Sequence, residues 1–190
     1  MFLGLVKDKN LIPAKYFDTI YDIDFLALYQ EGFRLILTDL DNTLESYKTP
    51  FPSNELKELI KKIQKIGFEI MIVSNNFSNK RVKIFAEELD IPFISRAFKP
   101  TTGGYRRALK FLKHQNRKDV ITLGDQLFTD VFSSNKMGFY SIVVRAIDRK
   151  TEVWTTRFNR HLEQKAFKRL SKKNLLTEEA LRYFEGGNHA

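Results

Sequence analysis

The chain contains no cysteine, which excludes disulfide bonds and thiolate metal sites and gives no reason to assign an oxidising compartment. It also lacks an apolar run near the roughly 20 residues of a membrane-spanning helix. The N-terminus has no signal-peptide pattern, so we expect a cytoplasmic protein. None of His114, His161 and His189 has a second histidine at ligand spacing, which disfavours a histidine metal site. The chain has no Gly-rich P-loop either, which argues against an NTPase.

Positive charge is present in excess and is concentrated in one segment. Residues 145–173 contain ten Lys or Arg and three Asp or Glu, while the whole chain has a formal charge of +9. Such a block can bind nucleic acid, anionic lipid or a phosphorylated substrate, or can be a solvated helix face. Its apolar residues recur every four positions at Phe158, Leu162, Ala166 and Leu170. This predicts a basic amphipathic helix that either packs on the core or contacts an anionic membrane through residues 157–173.

Short β-rich runs alternate with segments of helical period from residue 33 to residue 145. This alternation predicts an α/β fold with a doubly wound parallel sheet, because parallel neighbours need a crossover helix. We divide the chain into an N-terminal helical segment at 1–32, a core at 33–145 and a basic helical tail at 146–190. Within the first segment, Pro13 is expected to begin the helix. Ligands of such a sheet bind at the carboxyl ends of its strands.

Two carboxylates and a hydroxyl follow the first predicted strand, in Asp39-Leu40-Asp41-Asn42-Thr43. Alternation along an extended chain points Asp39 and Asp41 to one side, so both can face one cation or one phosphate. A divalent cation would remove the repulsion between such neighbouring charges. The segment also suits a turn in which Asp and Asn side chains bond their own backbone, and alone it leaves both interpretations open.

Polar residues follow three more predicted strands. Ser74 and Asn75 leave the second strand, Lys99 follows the third, and Asp125 and Asp130 follow the fourth. Taken singly, each group also has a purely structural interpretation: Ser74 and Asn75 as a helix cap, Lys99 as a surface lysine, and Asp125 and Asp130 as part of a turn. Because the carboxyl ends of parallel strands share one edge, we expect all of them to lie near Asp39.

Together these segments resemble the four motifs of the haloacid dehalogenase (HAD) superfamily over about residues 33–145. Those motifs are Asp-x-Asp-x-Thr, a Ser or Thr, a Lys, and Gly-Asp-x4-Asp, here Gly124 to Asp130. Two further segments are similar to the YqeG-like branch of subfamily IIIA, namely Leu11-Ile12-Pro13 and Thr156-Arg157-Phe158-Asn159-Arg160. That branch is similar to mitochondrial phosphatidylglycerophosphate phosphatase. The resemblance implies a phosphatase with a HAD-like Rossmannoid fold.

The resemblance also implies a role for each motif residue. Asp39 is expected to be the nucleophile and Asp41 the general acid and base. The implied cofactor is Mg²⁺, held by the Asp39 side chain, the Asp41 backbone carbonyl and the Asp125 side chain. The remaining roles are phosphoryl binding by Ser74, the Asn75 amide and Lys99, and support by Thr43 and Asp130.

The spacing of the motifs bears on the substrate. About 30 residues separate Thr43 from Ser74, and 24 lie between Ser74 and Lys99, so one helix and one strand nearly fill each interval. Cap domains of the superfamily are inserted in these intervals. We therefore predict a capless enzyme whose open site either admits a bulky substrate or is covered by another subunit.

Three functions are compatible with these features. We favour a phosphatase acting on phosphatidylglycerophosphate or a similar bulky phosphomonoester, peripheral to the inner membrane face. A second hypothesis is a phosphatase for a soluble metabolite or a nucleic-acid end. The third is an RNA- or ribosome-associated factor with a secondary HAD site, based on the basic block and a pI near 9.6. The chain has no aromatic-plus-basic RNA signature, which disfavours the third hypothesis.

Overall fold

A computed structural model describes residues 7–149 and 154–186, with only the backbone at 154–159 and 185–186. Its described residues form one six-stranded parallel sheet in the order β1-β6-β5-β2-β3-β4. The strands are β1 Lys15–Phe17, β2 Leu35–Thr38, β3 Glu69–Val73, β4 Phe93–Ile94, β5 Val120–Gly124 and β6 Tyr140–Val144. The chain is therefore an α/β protein with a Rossmann-like HAD fold, as the sequence predicts.

The helices connect the strands and continue past the last one. The first five are α1 Phe25–Gln30, α2 Asn54–Ile66, α3 Asn79–Leu89, α4 Gly103–Phe111 and α5 Phe132–Met137. Two more follow β6, α6 Trp154–Lys172 and α7 Glu178–Gly186. A π-helical turn at Leu127–Val131 precedes α5, and 3-10 turns lie at Asp8–Leu11 and Ile20–Asp22.

The sheet is covered on both faces because its strands present apolar side chains alternately to each side. In β2, Ile36 packs into a cluster with residues of α1, α2 and α3. Its neighbours Leu35 and Leu37 join a second cluster with residues of α4. Every residue of β2 is buried, which explains why this strand reads as a continuous apolar run. The predicted end of α2 is also correct, since Gly67 closes it at φ +117°, a left-handed conformation that favours glycine.

The prediction of one helical segment opening at Pro13 is wrong. Residues Lys15–Phe17 form β1, which pairs with β6 at the sheet edge, and the helix begins only at Phe25. The apolar residues Phe17, Ile20 and Leu28 lie at helical spacing, but they belong to β1, to the 3-10 turn and to α1, so their spacing does not mark one helix. Tyr16 is the buried residue of β1, and it packs against Tyr183 of α7.

Helix α6 packs on the core through part of its predicted apolar stripe. Ala166 and Leu170 are buried in a cluster with Leu11 and Phe128. The side chain of Phe158 lies outside the described residues. Beside the stripe, Arg169 pairs with Asp8 at 2.6 Å, and Lys173 pairs with the same carboxylate at 2.7 Å. Part of the basic charge therefore forms ion pairs with the N-terminal segment.

The fold leaves the carboxyl edge of the sheet without a cap domain. The chain between β2 and β3 is fully described and contains α2, and that between β3 and Lys99 contains α3 and β4. Neither interval holds an inserted domain, as the motif spacing predicts. No helix in the described part of the chain is both long enough and apolar enough to cross a membrane.

Candidate active site

The predicted site residues converge at the carboxyl edge of the sheet. Asp39 directly follows β2, Ser74 follows β3 and Asp125 follows β5. Lys99 arrives from the loop after β4, and its ammonium reaches Asp39. All four side chains are buried although each is polar or charged. Buried charges are costly unless they are paired, so the contacts among them define the site.

Lys99 bridges two of the carboxylates. Its Nζ lies 2.7 Å from Asp39 Oδ1 and 2.6 Å from Asp130 Oδ1. Burial disfavours the charged form of Lys99, but Asp130 and Asp39 outweigh that effect and raise its pKa above the ordinary range. The ammonium is therefore a fixed positive charge beside Asp39.

Asp130 reaches Lys99 because residue 124 is a glycine. A Cβ built on Gly124 would lie 2.4 Å from Asp130 Cγ, a distance that side chains do not tolerate. The other carboxylate oxygen of Asp130 accepts hydrogen bonds from the Gln126 N–H at 3.1 Å and from Thr129 Oγ1 at 3.3 Å. The Gly-Asp-x4-Asp spacing thus folds its second acidic residue back onto the end of β5.

Asp41 is held by a separate set of donors. Arg81 Nε donates to Asp41 Oδ1 at 2.8 Å, and Asn76 Nδ2 donates to Oδ2 at 2.7 Å. Arg81 also donates to the carbonyls of Thr49 and Ser46, so it ties α3 to the loop after the Asp39 motif. Sequence reasoning missed Arg81, which lies in the first turn of α3 and has no motif around it.

The two residues that follow β3 have different surroundings. Ser74 is buried, and its hydroxyl accepts a hydrogen bond from the Asn76 N–H at 3.1 Å. The Asn75 side chain holds the backbone of Lys99, accepting from its N–H at 2.7 Å and donating to its carbonyl at 2.8 Å. The side-chain amide of Asn75 therefore positions the Lys99 loop. Phosphoryl binding by Asn75 remains a prediction for its backbone N–H.

Helix α6 contributes two residues that the sequence analysis did not assign to the site. Arg160 pairs with Asp125 Oδ2 and also donates to the Asp125 carbonyl. Glu163, one turn further on, accepts a 2.6 Å hydrogen bond from the Leu127 N–H and lies 3.1 Å from Arg160. The remaining oxygen of Asp125 accepts from Thr43 Oγ1 at 3.2 Å. The loop after β5 is thus held by α6 on one side and by Thr43, in the loop after β2, on the other.

The charge of the site suits a divalent cation. Burial raises the pKa of Asp39 to about 8 although Lys99 opposes the shift, and burial raises that of Asp125 to about 6 against the effect of Arg160. The carboxylates of Asp130 and Asp125 push the pKa of Asp39 further upward. Burial therefore makes the charged forms of both carboxylates unfavourable despite Lys99 and Arg160, and an added Mg²⁺ would stabilise them.

The donor set is compatible with magnesium as well. Mg²⁺ is usually held by one or two carboxylates together with waters and substrate phosphate. Asp39, Asp125 and the backbone carbonyl of Asp41 would supply such a set. No group of three or more His, Cys, Asp or Glu side chains that could hold a metal ion is found among the described residues. The proposed site has only two carboxylate side chains and one backbone carbonyl, so it would not be found as such a group.

Comparison with known proteins identifies the family. The family model described as mitochondrial PGP phosphatase matches residues 2–148. Among curated proteins, the chain is 34% identical over 165 residues to the probable phosphatase YqeG of Bacillus subtilis (strain 168), covering 87% of this chain and 94% of that protein. It is 25% identical over 180 residues to phosphatidylglycerophosphate phosphatase 1, chloroplastic/mitochondrial, of Arabidopsis thaliana, covering 90% of this chain and 51% of that protein.

A solved structure supports the fold. An uncharacterized protein from Listeria monocytogenes serotype 4b superposes with a TM-score of 0.50 at 17% identity, covering 64% of this chain and 87% of that one. The motif residues, the parallel sheet and these matches agree with one another. The chain belongs to the mitochondrial PGP phosphatase family of the HAD superfamily and is a phosphoric monoester hydrolase.

Proposed function

We propose that the enzyme is a Mg²⁺-dependent phosphatase that forms an aspartyl phosphate on Asp39 and hydrolyses phosphatidylglycerophosphate or another bulky phosphomonoester. The observation that carries the mechanism is the bridge from Lys99 to Asp39 and Asp130. It holds one oxygen of the buried Asp39 carboxylate beside a positive charge at the open edge of the sheet. A phosphoryl group that approached this carboxylate would find the ammonium next to its oxygens.

The chemistry takes two displacements. A carboxylate oxygen of Asp39 attacks phosphorus, and the bond from phosphorus to the leaving oxygen breaks. Asp41 gives its proton to the leaving alkoxide and then takes a proton from the attacking water. That water displaces the Asp39 oxygen from phosphorus, releasing phosphate and restoring the carboxylate. Ser74, the Asn75 N–H and Lys99 donate to the phosphoryl oxygens during both steps.

Magnesium would be held by Asp39, Asp125 and the Asp41 carbonyl, with Thr43 and Asp130 as supporting residues. When bound, it compensates the charge that gathers between the carboxylate and the phosphoryl group. The raised pKa values of Asp39 and Asp125 support this assignment, since burial makes both charged forms unfavourable and a bound cation would stabilise them.

The substrate proposal is supported by the open site and by the relatives. With no cap domain between β2 and Lys99, a bulky leaving group is not excluded by the enzyme's own chain. The family description and the Arabidopsis relative both refer to PGP or phosphatidylglycerophosphate. This chain spans about half of that relative's length. A soluble phosphomonoester is the alternative substrate.

The test is a substrate panel with and without chelator. We expect phosphate release from phosphatidylglycerophosphate in detergent micelles to exceed release from glycerol 3-phosphate and from nucleotides at equal concentration. Activity should be lost with EDTA and restored by Mg²⁺, and Ca²⁺ should inhibit because its larger shell misplaces the nucleophile. Full activity in EDTA would contradict the metal assignment. A preference for a small soluble ester would contradict the lipid substrate while leaving the mechanism intact.

A further inference from the structure

Aromatic side chains are exposed around the active-site edge. Nine large apolar side chains are exposed among the described residues, and four of them lie in three short segments, the loops 46–52 and 95–98 and the segment 76–80, which enters the first turn of α3. We call these four side chains the aromatic rim; they are Tyr47, Phe51, Phe77 and Phe98. Exposed apolar side chains are common singly, but their gathering in loops beside one site indicates a contact surface.

Each of the three loops is joined directly to a site residue. Phe77 follows Asn76, which donates to Asp41, and Phe98 precedes Lys99, which pairs with Asp39. The two rings contact each other edge to face with centroids 6.0 Å apart. Tyr47 lies 5.4 Å from the Arg81 guanidinium that holds Asp41. The aromatic rim therefore borders the entrance to the catalytic carboxylates.

The backbone keeps Phe98 outward while Lys99 points inward. Phe98 has φ +57°, a left-handed conformation that bulky residues rarely adopt. The loop is held in place by the two hydrogen bonds between the Asn75 side chain and the Lys99 backbone and by the Arg96 N–H, which donates to the Asn76 carbonyl at 3.2 Å. An unusual conformation of this kind persists because the surrounding contacts fix it, often at functional sites.

The charge of the same loops is uniformly positive. Lys48, Lys80 and Arg96 are exposed in them, and the three segments contain no acidic residue. Basic side chains interspersed with exposed aromatic rings form a surface that complements anionic phospholipid headgroups and the acyl boundary beneath them. Lys48 has one acidic neighbour outside these segments, Asp148 at 3.9 Å, so the surface stays net positive and a partner of purely apolar character would not match it.

We propose that the aromatic rim and its basic neighbours dock the enzyme on an anionic phospholipid bilayer, with the active site facing the headgroups. This inference rests on the proposed lipid substrate and names how that substrate is reached. Phe77, the most exposed residue of the rim, would enter the headgroup region, and Lys48 and Lys80 would contact lipid phosphates. Docking in this orientation places the phosphomonoester headgroup at Asp39 without removing the lipid from the membrane.

The experiment compares binding with two kinds of vesicle. The wild-type protein should co-sediment with phosphatidylcholine vesicles that contain phosphatidylglycerol, should bind pure phosphatidylcholine weakly, and should lose binding as salt is added. Phe51→Ser with Phe77→Ser, and separately Lys48→Gln with Lys80→Gln, should each reduce binding about tenfold or more. Equal binding to both kinds of vesicle, or sedimentation with neither, would overturn the proposal.

Matched controls lie at the opposite edge of the sheet. Phe111, at the end of α4, is 65% exposed against 69% for Phe77, so Phe111→Ser is the matched control for the single variant Phe77→Ser, which should also bind more weakly than wild type. Lys110→Gln with Lys113→Gln removes the same charge as the Lys48 and Lys80 pair. Both controls should bind like wild type. Equal loss in the controls would indicate nonspecific attraction and overturn the orientation, and a concentration-dependent dimer that Phe77→Ser disrupts would identify a second copy as the occupant.

Activity measurements separate this proposal from the proposed function. The rim variants should hydrolyse a soluble aryl phosphate, and a short-chain phosphatidylglycerophosphate below its micellar concentration, at wild-type rates, but should be about tenfold slower on the long-chain lipid in vesicles. Unchanged rates on vesicles would overturn docking and leave the substrate assignment standing. Vesicle binding by an enzyme that hydrolyses neither form of the lipid would overturn the substrate assignment instead.

Discussion

Two aspartates of the site are each held by an arginine, but the two ion pairs differ in origin and in burial. Arg81 reaches Asp41 from α3, and the Asp41 side chain keeps 19% of its surface exposed. Arg160 reaches Asp125 from α6, and the Asp125 side chain is fully buried. In the proposed mechanism Asp41 must exchange a proton with substrate and water, whereas Asp125 must remain a carboxylate. In that mechanism, the carboxyl that changes its protonation, Asp41, lies near solvent, and the one that stays ionised, Asp125, lies in the interior.

The largest expected effect is at Asp39, the proposed nucleophile. Asp39→Asn keeps the size of the side chain but removes the nucleophile, so turnover should fall by about 10³-fold or more on every substrate. Phosphate release measures the loss, and circular dichroism checks that the fold is retained. More than a few per cent of the wild-type rate in a folded variant would contradict covalent catalysis by Asp39.

Asp41→Asn comes next and tests the proton-transfer role on the exposed side of the comparison. On an alkyl phosphate the loss should be on the order of 100-fold or more, because the leaving alkoxide needs a proton. On p-nitrophenyl phosphate, whose leaving group departs readily as an anion, the first displacement should be much less affected. Burst kinetics separate the two displacements. An equal slowing of the first displacement on both substrates would show that Asp41 has a structural role.

Arg160→Gln tests the buried ion pair, and we expect it to change the affinity for Mg²⁺ more than the turnover. Removing the guanidinium frees the Asp125 carboxylate to turn, so Mg²⁺ binding, measured by calorimetry, should weaken on the order of tenfold. The turnover at saturating Mg²⁺ should fall less. Arg169→Gln is the control, since it breaks the ion pair to Asp8 on the same helix outside the site. Lowered thermal stability with unchanged Mg²⁺ affinity in Arg160→Gln would assign the pair to folding alone.

The smallest effect is expected from Arg81→Gln. Asn76 still donates to Asp41 in this variant, so turnover on an alkyl phosphate should fall by roughly fivefold, which corresponds to about 1 kcal/mol, the net value of a typical hydrogen bond. Mg²⁺ affinity should not change. Lys83→Gln, on the same helix and paired with Glu87 at the surface, serves as the control. A loss of Mg²⁺ affinity in Arg81→Gln would show that the two pairs act on one site rather than on separate tasks.

The sequence predicts the parts of the site that follow strands. Asp39, Ser74, Lys99 and Asp125 each come directly or within a short loop after an apolar run, and parallel topology brings such positions to one edge. The absence of a cap domain between β2 and Lys99 follows from the interval lengths. These features depend on local patterns and on order along the chain, which a sequence contains in full.

The contacts that hold those residues were not predictable in the same way. Arg160 belongs to a segment noted for its family resemblance and its positive charge, neither of which places it at the site, and Glu163 is one acidic residue in a basic helix. Their role depends on α6 crossing to the end of β5, a contact between positions 35 residues apart. One available signal was the three-residue spacing of Arg160 and Glu163, which lets the side chains pair on one helix face. The helix predicted to begin at Pro13 was wrong for a related reason. Strand β1 has only three residues, too few to show an alternating pattern, and it is defined by its pairing with the distant strand β6.

The Arg160 contact also has a consequence for how the protein becomes active during synthesis. The loop after β5 that carries Asp125 leaves the ribosome before helix α6, since 35 residues separate Asp125 from Arg160. At about 5–20 residues per second this delay lasts roughly 2–7 seconds, during which the sheet can already form around β2 and β5. Until α6 docks, Asp125 lacks its arginine. The chain should therefore reach its full Mg²⁺ affinity only after α6 has docked at the end of β5.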